Sequence, residues 1–436
     1  MATEHREILH GVAASGAIAS SLEAAPLAVV VDLVRTGRAR TRPELTAVSG
    51  LSRKVVTQRV DQACEIGLLR EGGLAPSGGG RHARVLEFDP DAGRVFGVLI
   101  GASELRVAVA ALDGRPLATS QEDWTVDSGP EATMQRVHAH IDALAVRHAA
   151  TRPWGIGVGV PGPVDFPEGR LIAPPIMPGW DGFSVRAWLR ERVDAPVWVD
   201  NDVNLMAVGE WVHGVGPRTE DMLFLKVGTG IGSAVISRGR LLRGQRGAAG
   251  DIGHIRVSDD PTAVCRCGEV GCLEAVAGGW SLIVEATQRA SESPTLLDAL
   301  RERGRISLGD VGAASRAGDP VAREMLGERA AALGEVTASL VNFANPGQLV
   351  VGGGVLRAGE ELVGRIEDVV RRRSTKIASE HLVVRPASLD QQEGVTGAAL
   401  LAVENLLSPI ALARWVEDAS PLGHAAALQR FAPAFA

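Results

Sequence analysis

Tyrosine is absent from the 436 residues, lysine occurs three times against forty-two arginines, and there are only four cysteines. The missing tyrosine and the Arg-for-Lys bias reflect a GC-rich coding preference and carry no functional reading. Four cysteines in a chain of this length make no disulfide framework; in a reducing compartment they read as thiols or metal ligands. No apolar run approaches eighteen residues, which excludes a simple membrane-spanning helix. The N-terminus, MATEHREILHG, lacks a basic stretch followed by an apolar one. No signal peptide is expected, and the chain reads as cytoplasmic. A basic average is lacking too: the net charge of −7 argues, taken alone, against a nucleic-acid partner.

The charge that is present is unevenly placed. Between Arg35 and Arg84 ten basic residues stand against four acidic ones, a segment near +6 that leaves the remainder near −13. A basic head on an acidic body suggests local phosphate contact, although a solvated charged face gives the same count. The length exceeds one ordinary core, so two or three domains are expected. The divisions read as a head at 1–90, a body at 91–405 and a C-terminal helical extension at 406–436.

In the head, Leu27, Val30, Val31 and Val34 recur at helical spacing and predict a helix over roughly 24–36. Thr41, Pro43 and Glu44 form a capping-box signature for a second helix, which stops near Ser49-Gly50. Ser52 can cap a third, running to Gly67 with Val56, Val60 and Ala63 inward. Helix, helix, glycine turn, helix is the helix-turn-helix pattern. The third helix would carry Ser52, Arg53, Lys54, Thr57, Gln58 and Arg59 to phosphates and base edges of operator DNA. Leu68–Arg70 and Val85–Phe88 read as the strands of a wing whose Gly/Ser-rich tip holds Arg81 and Arg84, suited to a minor groove or a phosphate. A three-helix protein-contact module remains the alternative.

From Arg94 the texture becomes α/β. Strands are expected at Val95–Ile100, Leu105–Leu112, Gly155–Val160, Val197–Val199, Met222–Val227 and Leu349–Val351. Helices are expected near 131–149, 202–213, 319–342 and 359–372. Strand ends carry Pro161-Gly162, Asn201-Asp202, Gly228–Gly232 and Gly352–Gly354, positions where ligands bind in α/β folds. No sequence repeat is visible. Cys265, Cys267 and Cys272 fall within eight residues, with His254 eleven residues upstream. Three thiolates and one imidazole make a closed tetrahedral zinc set, hence a structural Zn(2+) with no room for an activated water.

Asp251-Ile252-Gly253-His254 followed by Cys265-x-Cys267-Gly268-x-x-Gly271-Cys272-x-Glu274 resembles the signature of the ROK family of repressors, open reading frames and kinases. Asn201-Asp202 and Gly228–Gly232 fall where that family has them, and the likeness covers about 94–405. The head resembles that of the family's repressor branch. The resemblance implies a winged helix-turn-helix followed by a two-lobed, actin-like sugar-kinase body. It also implies a sugar pocket formed by Asn201, Asp202, Asp251, His254 and Glu274, with His254 shared between zinc and sugar. Asp202 would match the carboxylate that takes a proton from a sugar hydroxyl in family kinases. A strand-end cap is the alternative reading of Asn201 and Asp202, and Asp251 is one methylene shorter than the family's acid.

Family kinases open the body with Asp-x-Gly-Gly-Thr-Lys, where the aspartate helps hold the magnesium nucleotide. Here the run is Leu99-Ile100-Gly101-Ala102-Ser103-Glu104. Leu99 replaces the aspartate, Ala102 the second glycine, and Glu104 the lysine, where it would repel phosphate. The expectation is a non-enzymatic regulator, a repressor of carbohydrate-related genes. It would bind a palindromic operator as a homodimer or dimer of dimers and answer to a sugar or sugar derivative. A sugar kinase with an accessory head, and a ligand-independent DNA-binding protein with a relic pocket, are the alternatives.

Overall fold

Helical spacing of apolar residues is met at the start of the described chain. The computed structural model describes residues 23–75, 82–214, 219–359 and 361–429. Helix α1 (23–35) buries Leu27, Val30, Val31 and Val34. Helix α2 (Arg42–Ser49) starts at Thr41, whose hydroxyl accepts from the Glu44 N–H at 3.3 Å, and ends at Gly50 with φ 70°. The capping box closes differently from expectation: Glu44 reaches past the cap to the Arg40 N–H at 2.6 Å. Helix α3 (Arg53–Glu65) is capped by Ser52 and buries Val56, Val60 and Ala63. Strands β1 (Leu69–Leu74) and β2 (Arg84–Phe88) pair antiparallel as the wing.

The body begins with β3 (Val95–Ile100), β4 (Glu104–Ala110) and β5 (Pro116–Asp123), then α4 (Pro130–Arg147) and β6 (Gly155–Val160). A small hairpin, β7 (Val164–Asp165) and β8 (Arg170–Leu171), precedes α5 (Val185–Arg190) and β9 (Val197–Asn201). These make a sheet ordered β5-β4-β3-β6-β9. Strands β3 and β6 are buried along their whole length, whereas the edge strand β5 alternates, as a one-sided strand must.

Helix α6 (Asp202–His213) leads to β10 (Met222–Val227), β11 (Ile231–Ser237) and β12 (Arg240–Leu242). Helices α7 (Leu273–Ala277), α8 (Gly279–Gln288), α9 (Pro294–Arg303), α10 (Leu308–Arg316) and α11 (Pro320–Ala344) follow. Next come β13 (Gln348–Gly352), α12 (Glu361–Arg373), α13 (Lys376–Ser379) and β14 (Val383–Pro386). The second sheet is ordered β12-β11-β10-β13-β14. Each sheet is therefore an antiparallel three-strand meander extended by two parallel strands, in the same order. The body is duplicated in architecture although no repeat is visible in the sequence. Helix α6 lies between the lobes, against β6 and β9 of one sheet and β10 and β11 of the other.

The chain ends with α14 (Glu393–Leu406), α15 (Pro409–Trp415) and α16 (Ala425–Leu428). Every residue of α14 except Glu404 is buried, the mark of a helix enclosed on all sides. It crosses α6 backbone to backbone: a Cβ at Gly397 would lie 1.8 Å from the Leu205 carbonyl oxygen, and one at Gly209 2.0 Å from that of Glu393. Among the described residues no single helix is long and apolar enough to cross a membrane.

The expected boundary at residue 90 falls in a short 3-10 turn, Pro90–Ala92, but one apolar cluster runs across it. That cluster joins Leu27, Val31, Val60 and Leu86 of the head to Trp154, Leu406 and Trp415. Trp415 packs edge-on to Trp154 at 5.5 Å and donates its indole N–H to the Leu406 carbonyl. Gln429 grips the Val197 N–H and carbonyl at 2.7 and 2.9 Å, mimicking a strand on the open edge of β9. The described part of the C-terminal extension thus packs onto body and head.

Candidate functional site

Turning Val56, Val60 and Ala63 inward leaves the opposite side of α3 to solvent. Ser52, Arg53, Lys54, Thr57 and Gln58 are all exposed. Arg53, Lys54, Thr57 and Gln58 line a shallow groove with Asp61. Arg59 departs from the expected set. It is half-buried, and its guanidinium donates to Gln62 at 2.7 Å and to the Glu23 carbonyl at 3.2 Å, so it ties α3 to the start of α1. Arg84 is exposed at the tip end of the wing ladder, opposite Leu74 and 3.4 Å from Glu71. Arg81 lies outside the described residues. Arg42, not among the expected contacts, bridges Asp61 of α3 at 2.7 Å and Glu71 of the wing at 2.5 Å. Its position one residue after the cap of α2 was the available signal.

The metal-ligand quartet converges. One ligand atom from each of His254, Cys265, Cys267 and Cys272 lies within 4.8 Å of the others, the one such group among the described residues. The Nδ1 of His254 stands 3.7 Å from the Cys265 sulfur, and the Cys267 and Cys272 sulfurs are 3.7 Å apart. Sulfur–sulfur edges of about 3.8 Å are what a tetrahedron of zinc–thiolate bonds requires. Gly268 and Gly271, at φ 96° and 80°, supply the left-handed turns that fold the loop back on itself. Burial and the neighbouring thiols push the Cys272 thiol up to about 12. Three thiolates this close therefore need a cation in order to form.

Of the remaining expected groups, Glu274 stands against the turn between β10 and β11. Glu274, buried in the first turn of α7, accepts from the Ile231 N–H at 3.2 Å and from Arg266 at 2.8 Å. Asp251 shares an electrostatic neighbourhood with His254 and Glu274. Asp202 opens α6 and is buried; its carboxylate pairs with Lys226 of β10. Asn201 is engaged as a cap: its Oδ1 accepts from the Val203 N–H at 2.9 Å, and its amide donates to the Gly162 carbonyl at 3.1 Å. Behind it, Asp200 accepts from Asn204 at 2.9 Å and from Arg243 at 2.8 Å. Lys226 and Arg243 were missed in the sequence because each is held by a partner remote in the chain.

The run from Leu99 to Glu104 is a tight β3–β4 connection in which the Gly101 N–H bonds the Glu104 carbonyl at 2.8 Å. Leu99 is buried, and its methyls press on the backbone of Gly159 and Gly394, 3.0 and 2.5 Å from where Cβ atoms would lie. The Ala102 and Ser103 carbonyls accept from Val126 and Trp124, and Glu104 lies 3.4 Å from Arg106. The connection thus carries a buried hydrocarbon side chain at Leu99 and a carboxylate at Glu104.

The model of the ROK family matches residues 95–405. The chain belongs to the ROK family. Its similarities include a glucokinase of Halalkalibacterium halodurans, 32% identical over 70% of this chain and 93% of the relative. A xylose repressor of Caldicellulosiruptor bescii is 26% identical over 87% of this chain and 96% of its own length. The DNA-binding transcriptional dual regulator NagC of Escherichia coli is 28% identical over 87% and 92%. Among solved structures, a ROK-family transcriptional regulator described as a homologue of the E. coli MLC protein superposes with a TM-score of 0.78. It is 23% identical, covering 91% of this chain and all of that one. A ROK glucokinase from Streptomyces griseus gives 0.64 at 31% identity, over 70% and 98%. These two kinases match 70% of this ROK chain, whereas the regulators match 87–91% of it.

Proposed function

We propose that this ROK protein is a sugar-responsive, DNA-binding transcriptional repressor of carbohydrate-related genes. The observation that carries the reading is the solvent-facing row of Ser52, Arg53, Lys54, Thr57 and Gln58 on a capped helix beside a wing. A helix so presented enters a major groove, while flanking cations meet phosphates. Regulator relatives that match the head as well as the body favour the same reading. Leu99 and Glu104 weigh against phosphoryl transfer, because both the metal-binding acid and the phosphate-binding cation are gone.

A sugar or sugar derivative is read by Asn201, Asp202, Asp251, His254 and Glu274, around the β10–β11 turn. Zinc held by His254, Cys265, Cys267 and Cys272 would act as a brace, fixing the loop that carries Asp251 and leads into Glu274. With four protein ligands the ion has no open position and supplies rigidity rather than Lewis acidity. A homodimer, or dimer of dimers, places two heads on a roughly palindromic operator.

The test is fluorescence anisotropy on the DNA upstream of the protein's own gene at two salt concentrations, with and without a sugar panel. Salt-sensitive binding released by one sugar is expected, and no binding at low salt sinks the reading. The kinase alternative is met by an ADP-release assay over hexoses and amino sugars. Robust turnover abolished by Asp202→Asn would overturn the non-enzymatic assignment.

A further inference from the structure

Lys226 is one of only three lysines in the chain and sits two residues before Gly228. Its stem runs along two glycine turns: a Cβ at Gly353 would lie 3.2 Å from its Cγ, and one at Gly228 3.7 Å from its Cε. The side chain therefore lies in the trough between Gly228–Gly230 and Gly352–Gly354. At its far end the ammonium meets the Asp202 carboxylate. The Asp202 side chain is 4% exposed and that of Lys226 19%, so the pair is largely shielded from water.

Strand β10 belongs to the second lobe, and Asp202 follows directly on β9 of the first, so the ion pair spans the cleft. Two further pairs span it, Arg243–Asp200 at 2.8 Å and Arg246–Asp165 at 3.2 Å. Asp202 alone of these three acids belongs to the proposed sugar pocket. It is also the one held by an ammonium, a point charge on a flexible stem, rather than by a planar guanidinium. An ammonium on a flexible stem can turn away from a carboxylate by rotating that stem. Glycine turns with exposed backbone N–H groups are the surface against which phosphates settle. Here a hydrocarbon stem lies along Gly228 and Gly353, and the Gly228 N–H is already taken by the Gly230 carbonyl at 2.9 Å.

We propose that Lys226 is the specificity-determining residue of the cleft: it fills the trough between the glycine turns, shutting out a metal-bound polyphosphate, and it holds Asp202 until a sugar hydroxyl displaces its ammonium. The proposal rests on the regulator reading for its sugar step but not for the exclusion of nucleotide. Sugar binding then exchanges partners across the cleft. The hydroxyl donates to Asp202, Lys226 turns toward solvent, and the Lys226–Asp202 ion pair between the lobes is released.

Three measurements on the full-length protein test this. Thermal unfolding without sugar is compared for wild type, Lys226→Met, Asp202→Asn and the double variant, with Lys226→Arg as the charge-retaining control. Lys226→Met is expected to melt a few degrees lower, since it strands a buried carboxylate, and the double variant to recover most of the loss. Additive single effects overturn the pairing. Calorimetry with magnesium AMPPNP is expected to give no binding to wild type at millimolar nucleotide and weak, millimolar binding to Lys226→Ala; binding to wild type, or none to either protein, overturns the exclusion. With the sugar that releases DNA, Lys226→Met is expected to bind roughly five- to tenfold tighter, the weight of one shielded ion pair that no longer has to break. Unchanged affinity overturns the displacement step. If every sugar leaves the wild type unaffected, the effector arm of the regulator reading fails. The unfolding cycle and the nucleotide titration then still decide the role of Lys226.

Discussion

Arg35 in α1 and Glu404 in α14 form an ion pair that joins the head to the body. Arg35 is held from its own helix as well, by Asp32 at 2.8 Å. Glu404 is the one residue of α14 that is not buried. The other end of that helix lies in the cleft, where Gly394 bears on Leu99. Fourteen helical residues make a rod of about 20 Å, and this one runs from the cleft to the helix-turn-helix head. A rearrangement of α6 against α14 at the lobe junction is therefore felt at α1 through a packed, stiff element.

Glu404→Gln removes the charge and keeps the shape. A loss of about 1–2 kcal/mol in urea unfolding is expected, since Arg35 is left mostly buried with one partner fewer. DNA affinity without sugar should stay within about twofold, while the sugar-induced release becomes smaller. Full release in the variant would show that α14 does not carry the response.

Cys267→Ser should lower zinc content and melting temperature together. Metal binding is folding free energy at a site whose thiols resist ionisation on their own. Metal analysis alongside differential scanning calorimetry checks this. Full zinc occupancy with an unchanged melting temperature would exclude the quartet as the ligand set.

Arg53 and Arg59 are six residues apart and are expected to behave oppositely. Arg53→Ala should weaken DNA binding and reduce the salt slope by about one counterion, with the fold intact. Arg59→Ala removes ties to Gln62 and the Glu23 carbonyl, so it should cost about 1 kcal/mol of stability and leave the salt slope as it was. Anisotropy titrations across a salt series, paired with urea unfolding, separate the two.

Glu393 predicts a pH dependence. Burial at the start of α14, reinforced by Glu210 and Glu104 and opposed by its own backbone N–H and by Arg106, raises its carboxyl to about 7 from an ordinary 4.5. An acid raised in the folded state keeps its proton there after the unfolded chain has released its own. Stability is therefore lost as pH rises from about 4.5 to about 7 and levels off above that. The loss is on the order of 1–3 kcal/mol. Glu393→Gln should abolish that slope and stabilise the protein at pH 8 in urea unfolding measured across pH. A variant that keeps the full slope would assign it to other groups.

Much of the head was legible because its signals are local. Caps at Thr41 and Ser52, the left-handed stop at Gly50 and the inward row Val56, Val60 and Ala63 all act within one or two helical turns. The convergence of three cysteines with His254 was legible for the same reason, since Cys265 to Cys272 and the glycines between them lie on one short loop and His254 stands eleven residues before it. Helix α14 escaped notice because a helix enclosed on every side carries no amphipathic period. The duplicated sheet order escaped too, because many different sequences satisfy one pattern of buried strands.

The sequence by itself determined the helix boundaries of the head and the clustering of His254 with three cysteines, for each is written in spacing and residue type along a short stretch. Tertiary structure alone decided what long-range pairing controls. It turned Arg59 inward, set Lys226 against Asp202 from the opposite lobe, and seated the C-terminal helices between head and body. Those outcomes depend on which side chains the folded chain brings to the same place, and a carboxylate on one lobe gives no sign along the chain of the cation it will meet on the other.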